Sequence, residues 1–484
     1  MNKERIKLFI LILLILNSIQ LTVQLWFDSN LWPNGIDEFA KNVPVLGKIV
    51  SFFADKGDEY TGEEFYAKTV KPRRIVVNGG GAREVYLKES EYYNIGMNYI
   101  EVLLGEITEQ NVEPEEISYD VWKNYFKAKS VYVDYGYFMN GNEFGRLYGL
   151  NGSQNVFEDA LNFSGFVIVP NVATDTFVIC TYNEADNVAS CYEFGGNSDN
   201  LFSFIEETTN QKQQNHAFAF EINLDVKSAS DEEVERKVAF SPLALLEVTA
   251  DVRTEPLLSA NKIFEDYQEF EEFTEKVLNI FGYTASSLRK TVQNDGTITF
   301  VENNATIKFF YDGTIEYSAV SKENGLRLSA SAPNSYQAVC DVLNGAGKIW
   351  SISDTDNKEF DYHISSDLKD NKENVYKVKI DSMYKGTNIH YSNVCENAVY
   401  GQVEEGYITR LVVHLSDIAE TNQSSMVAPV LMGIDTVYEK YQNDGMVIED
   451  VYRCYDFDSS GKGTPKWIFK LYGKEESLVV DIGM

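Results

Sequence analysis

Apolar positions dominate residues 8–27, "LFILILLILNSIQLTVQLWF", and the run is unbroken over its first half. A run of that length spans a bilayer of about 30 Å as a helix. Its second half is interrupted by Asn17, Ser18, Gln20, Thr22 and Gln24. Beyond it the pattern turns to shorter amphipathic periods. Short helical patterns occupy 28–60. "RRIVVNGGGAREVYL" reads as two strands around Gly79, Gly80 and Gly81, and Ser90 is placed to cap a helix through "EYYNIGMNYIEVLLGEI". A second helix is expected around Tyr119–Ala128, then a strand at "SVYVDYGYF". "TFVICTYN" and "ASCYEFGG" flank the turn "EADN" as a hairpin.

From residue 251 the period is helical again. Over 262–281, Ile263, Tyr267, Phe270, Phe273, Val277 and Phe281 fall on one face, with Glu265, Glu269, Glu272 and Lys276 largely opposite. Gly282 is a natural stop. The meander "TITFV", "ATIKFFY", "TIEYSAV" follows, with Asp312-Gly313 as a hairpin signal. The third block repeats this plan loosely. A short helix at 335–343 precedes four strands, a helix over 426–441 buries Val427, Leu431, Ile434 and Tyr438, and three strands close the chain. Helix-then-meander blocks predict an α+β fold, with helices laid on antiparallel sheets. The expected organisation is a cytoplasmic 1–7, a transmembrane helix 8–27, a mixed N-terminal extracytoplasmic domain 28–250, a helix-plus-meander domain 251–333 and a related C-terminal α+β domain 334–484.

Composition sharpens the topology. Lys3, Arg5 and Lys7 precede the apolar run, so the positive-inside rule leaves the N-terminus in the cytoplasm and the bulk of the chain outside. A cleaved signal peptide would need a shorter apolar core and a small-x-small site. Here the run continues through Leu25, Trp26 and Phe27, which favours an uncleaved anchor. The formal net charge of −32 argues against nucleic acid as a partner.

The chemistry-bearing residues form no convincing catalytic set. Four His, at 216, 363, 390 and 414, show no H-E-x-x-H, and five Cys show no C-x-x-C. "GGGA" at 79–82 leads into a strand pattern rather than a helix, so it reads as a turn and not a phosphate cradle. "DFDSSG" at 456–461 opens like a calcium loop, but its twelfth position is Trp467 where a Glu is needed. "SSGKGTP" at 459–465 lacks the first glycine of a phosphate-binding loop. No cofactor or metal is expected. If the hairpin turn centres between Ala185 and Asp186, Cys180 and Cys191 face each other. They then form either a cross-strand disulfide or two small hydrophobes on one sheet face.

The amides in the apolar run carry more information. Asn17, Gln20 and Gln24 fall within about a 60° sector of a helix at 100° per residue. On one stripe they can bond to another transmembrane helix and set which face meets it, each bond contributing about 0.6–2 kcal/mol. Gln24 near the interface can instead snorkel, and Ser18 and Thr22 can bond their own backbone.

The lead "MNKERIKLFILILLILNSIQLTVQLW" and the stretch running from Ala428-Pro429 through "IEDVYRCY" to Pro465-Lys466-Trp467 resemble the YycH family of Gram-positive bacteria. The first of these is similar to that family's basic K-x-x-I-K lead and Leu-rich anchor. Near the C-terminus, Ala428-Pro429 opening a helix, then "IEDVYRCY" and Pro465-Lys466-Trp467, resemble the fold shared by YycH and YycI. The resemblance implies a single-pass, non-enzymatic regulator of a sensor histidine kinase of the WalK/YycG type, which controls cell-wall metabolism. It implies kinase and YycI-like partners contacted partly through transmembrane helices; a homo- or hetero-dimer is one arrangement the sequence leaves open. The rival readings are a membrane-anchored envelope enzyme or substrate-binding protein, and a structural envelope protein.

Overall fold

The computed structural model describes residue 66 and residues 69–481, less several short internal segments of which 223–237 is the longest. The predicted anchor 8–27, the cytoplasmic 1–7 and the helical patterns of 28–60 lie outside the described residues. Among the described residues no helix is long and apolar enough to cross a membrane. The architecture is mixed α+β, mostly sheet, with seven α-helices among the described residues.

The N-terminal part is built from β1 (Arg74–Gly79), β2 (Arg83–Leu87), α1 (Glu91–Glu106), β3 (Glu115–Ser118), α2 (Tyr119–Tyr125), β4 (Lys129–Met139), α3 (Gly141–Leu147), β5 (Phe163–Asn171), β6 (Thr176–Asn183), β7 (Val188–Gly195) and α4 (Ser198–Thr209). Seven strands form one antiparallel sheet in the order β2-β1-β4-β5-β6-β7-β3. Strand alternation sends Ile75, Val77, Val131, Val133, Phe166 and Ile168 to one face, under α1, α3 and α4. Val76, Tyr132, Val167 and Cys180 go to the other, against Trp122 and Phe126. Both faces are therefore covered, which is why these strands read as near-continuous apolar runs. Ser90 caps α1 by accepting from the Tyr93 amide.

Short strands β8 (His216–Phe218), β9 (Val238–Phe240) and β10 (Leu245–Glu247) lead into the second part. It comprises β11 (Arg253–Ala260), α5 (Tyr267–Ile280), β12 (Arg289–Val292), β13 (Ile298–Val301), β14 (Ala305–Phe309), β15 (Thr314–Ala319), α6 (Ser335–Ser351), β16 (Asp361–Ile364), β17 (Lys369–Asp370), β18 (Val375–Tyr384), β19 (Thr387–Tyr391), β20 (Val399–Glu404), β21 (Tyr407–His414), β22 (Ile418–Val427), α7 (Val430–Tyr441), β23 (Met446–Phe457), β24 (Lys462–Leu471) and β25 (Leu478–Val480). All these strands, with β9, join one sheet whose main path is β12-β13-β14-β15-β21-β20-β18-β19-β23-β24-β11-β22. The helix-plus-meander blocks are thus hydrogen-bonded to each other through β15 and β21. Their helices α5 and α6 bury Phe270, Val277, Val342 and Ile349 in the same core as α1 and β4.

Helix boundaries differ from the periodicity in three places. Asp266 caps α5 by accepting from the Glu269 amide, so the helix starts after Ile263. Tyr267 is then exposed, while Thr274 and Leu278 join Phe270, Phe273 and Val277 inside. Helix α6 runs on through Gly345 and Gly347 to Ser351, because burial of Ala346, Ile349 and Trp350 outweighs the weak helix propensity of glycine. Helix α7 starts at Val430, because 418–427 are drawn out as β22 against β11. Its buried positions become Val430, Ile434 and Val437, and Leu431 is exposed.

Candidate functional site

The two sheets meet around four charges. Arg74 begins β1 and Arg73 immediately precedes it, Asp134 lies on β4, and Asp450 lies on β23 of the large sheet. Arg74 and Asp134 are direct partners in the β1–β4 register. Arg74 Nε lies 2.6 Å from Asp134 Oδ2, and Arg73 donates to the same oxygen at 3.0 Å. Both arginines also reach Asp450: Arg73 by a close ion pair, Arg74 at 3.3 Å. All four side chains are buried. Burial pushes the Asp134 carboxyl up, but Arg74 and Arg73 outweigh it and hold the group well below the usual carboxylate range. For Arg73, burial works against the charge, and Asp450 and Asp134 overcome it.

Gly136 makes this approach feasible. Its φ of +69° is left-handed, and a Cβ there would sit 3.1 Å from Arg73 Nε and 3.3 Å from His363 Nε2. His363 itself, on β16, is buried beside Tyr137. Burial, then the positive charges of Lys88 and Arg73, keep its pKa well below the ordinary histidine value. Lys88, just after β2, adds a second cross-sheet tie, donating to the Tyr362 carbonyl at 2.6 Å and pairing with Asp361 at 3.0 Å. The recess beside the four charges holds about 40 Å³. That accommodates water but lies far below the several hundred Å³ of a small-molecule pocket.

A second charge cluster lies inside the large sheet. β19 and β23 run parallel with His390 opposite Asp456. His390 Nδ1 is 2.8 Å from Asp456 Oδ1, Lys466 donates to Asp456 Oδ2 at 2.8 Å, and Glu396 lies 3.7 Å from His390 Nε2. Burial would lower the His390 pKa, but Asp456 and Glu396 raise it to about 9.

The residues singled out in the sequence fall in separate places. Asn17, Gln20 and Gln24 lie outside the described residues. Cys180 and Cys191 are direct partners in the β6–β7 register and are bonded to each other. They sit in the core cluster that contains Trp122 and Ala189. Cys340, Cys395 and Cys454 are not disulfide-bonded, and burial pushes the Cys395 thiol up to about 11. The calcium look-alike is a strand-joining turn. Asp458 Oδ1 accepts from the Ser460 amide at 2.8 Å and the Lys462 amide at 3.1 Å, while Asp456 serves His390 and Lys466. "GGGA" closes the β1–β2 hairpin, with Gly80 at φ +86°. Among the described residues no group of three His, Cys, Asp or Glu is placed to hold a metal ion.

The four-charge junction joins residues too far apart in the chain for any sequence motif to mark it. Its one local signal was a charge at an inward position, Asp134 within "SVYVDYGYF", beside two consecutive arginines at a strand start.

No protein-family model and no curated protein matches this chain. The comparison of folds does find a match. The crystal structure of YycH from Bacillus subtilis superposes with a TM-score of 0.54 at 11% identity, covering 86% of this chain and 97% of that one. The fold is YycH-like. A further solved structure, an uncharacterized protein from Eubacterium rectale, aligns with 47% of this chain at 10% identity and a TM-score of 0.29, too low to carry an argument. At 11% identity the YycH likeness is one of backbone architecture.

Proposed function

We propose that this chain is a membrane-anchored, extracytoplasmic regulator of a two-component sensor histidine kinase that controls cell-wall metabolism, and that it acts by contact rather than by catalysis. The observation that carries the reading is the YycH-like fold over 86% of the chain. Two features support it. The bonded pair Cys180–Cys191 suits an oxidising compartment outside the cytoplasm. The buried acids at the sheet junction are spent on arginines, and Asp134 is lowered rather than raised in pKa, the opposite of a poised general acid. In this reading residues 8–27 anchor the chain with its N-terminus in the cytoplasm. Asn17, Gln20 and Gln24 face the transmembrane helices of the kinase and of a YycI-like partner.

Replacing Asn17, Gln20 and Gln24 together by Leu is expected to leave the protein inserted and to weaken co-purification of the kinase and the YycI-like protein from the membrane. Unchanged co-purification would remove the transmembrane part of the proposal. Unchanged kinase output on deleting the gene would remove the regulatory part.

A further inference from the structure

Helix α1 carries apolar residues on two faces. Tyr93, Met97, Ile100 and Leu104 pack into the core. Tyr92, Ile95 and Val102, with Tyr99 half-buried between them, form a second stripe at the alternating three- and four-residue spacing of a helix–helix seam. Tyr92 is 61% exposed, Ile95 52% and Val102 63%. A surface helix ordinarily shows one apolar stripe, and a second one turned to water marks a contact surface. Two neighbouring rings extend it. Tyr86 stacks on Tyr92 at 5.5 Å, and Phe204 of α4 stacks on Tyr99 at 4.8 Å with planes 4° apart. These stacks hold the rings in place before any partner arrives, which reduces the ordering cost of binding.

The charge carried by the two helices themselves has one sign, and the nearby Lys129 of β4 is taken up by Glu206 of α4 at 2.5 Å. Neither α1 nor α4 contains a Lys or Arg, whereas Glu101, Glu106 and Glu207 are exposed on them. We propose that the outer surface of α1 and α4 is a docking groove for an amphipathic helix of a partner protein that carries Lys or Arg beside its apolar stripe. Helix spacing on this side calls for a helix on the other, the usual helix-in-groove mode. The acidic rim selects basic flanks. A second copy of this chain would bring a matching acidic rim against this one, and an anionic lipid surface would be repelled likewise. The inference goes beyond the kinase-regulator reading and does not require it. Kinase co-purification tests residues 17–24, whereas the experiment below tests residues 92–102.

The probe is a pair of labelled synthetic helical peptides with the same Leu seam, one flanked by Lys and one by Glu, titrated with the full-length chain and read by fluorescence anisotropy. The Lys peptide is expected to bind at least about tenfold more tightly than the Glu peptide, and the variant I95E/V102E to weaken it by about tenfold or more. Both positions face solvent, so the variant should keep the wild-type thermal midpoint. The milder I95A/V102A should fall between. Equal binding of the two peptides, no binding of either, or full affinity in I95E/V102E would overturn the proposal. So would a photo-crosslinker at position 95 that captures a second copy or residues 28–65 of its own chain.

Discussion

Arg73, Arg74, Asp134 and Asp450 tie one sheet to another, while His390, Asp456, Lys466 and Glu396 tie neighbouring segments around one sheet. Both clusters are centred on buried ion pairs, although Lys466 and Glu396 of the second are partly exposed, and they differ in what their loss exposes. The first contains two permanent cations, and arginine cannot shed its charge at any ordinary pH. Its partners must stay ionised and in place, and the separation of 376 residues between Arg74 and Asp450 makes it a lock on the tertiary arrangement. The second depends on a histidine, so its strength follows pH.

The sharpest way to break the comparison is Asp134→Ala. It leaves two arginines sharing Asp450, and removing one side of a buried ion cluster costs about 3–5 kcal/mol. Urea unfolding followed by near- and far-ultraviolet circular dichroism should show this loss. A shift below about 1 kcal/mol, the value of an exposed pair, would mean that the junction is not a lock. The disulfide is the next largest tie, and it lies wholly within the seven-stranded sheet. Cys180→Ser with Cys191→Ser should cost about 2–3 kcal/mol for so short a loop. Reduction of the wild-type protein should reproduce that loss.

The histidine cluster should yield less and should respond to pH. The folded His390 pKa, about 9, lies above its unfolded value. Its contribution is therefore fully present below pH 6.5 and is lost as pH rises through 9. His390→Gln should cost about 1–3 kcal/mol at pH 6 and flatten the alkaline fall in melting temperature. The smallest effect lies at the acid end. Burial lowers the pKa of His216, with help from Arg74 and Arg253, and burial lowers that of His414, both to about 4. A depressed histidine pKa means that stability is present above pH 6.5 and is lost as pH falls from there towards 4. His414→Gln should reduce the slope of melting temperature against pH between 6.5 and 4.5. An unchanged slope would assign that limb to other groups.

Much of the local structure was legible because its causes are local. With the turn centred between Ala185 and Asp186, the alternation in "TFVICTYN" and "ASCYEFGG" sets Cys180 opposite Cys191, and that is their register in β6 and β7; whether they bond, the alternation leaves open. Ser90 marked the start of α1, and the Asp-Gly turn joined β14 to β15. The strand β22 was not legible. Its ten residues, "IAETNQSSMV", are mostly polar and exposed, and they are extended because β11 offers an unpaired edge. The second stripe on α1 is visible in "EYYNIGMNYIEVLLGE", but the sequence alone does not say which stripe the core takes.

The sequence by itself determined the α+β alternation, the strand that carries Asp134 and the apolar run that carries Asn17, Gln20 and Gln24. Periodicity and turn chemistry act over a few residues, so one chain segment contains the whole cause. Only the tertiary structure decided that Arg73, Arg74, Asp134 and Asp450 meet, and that Tyr92, Ile95 and Val102 face water while Tyr93 and Met97 do not. Those outcomes depend on which distant surfaces arrive first to desolvate a charge or cover a ring, and no local pattern encodes the arrival.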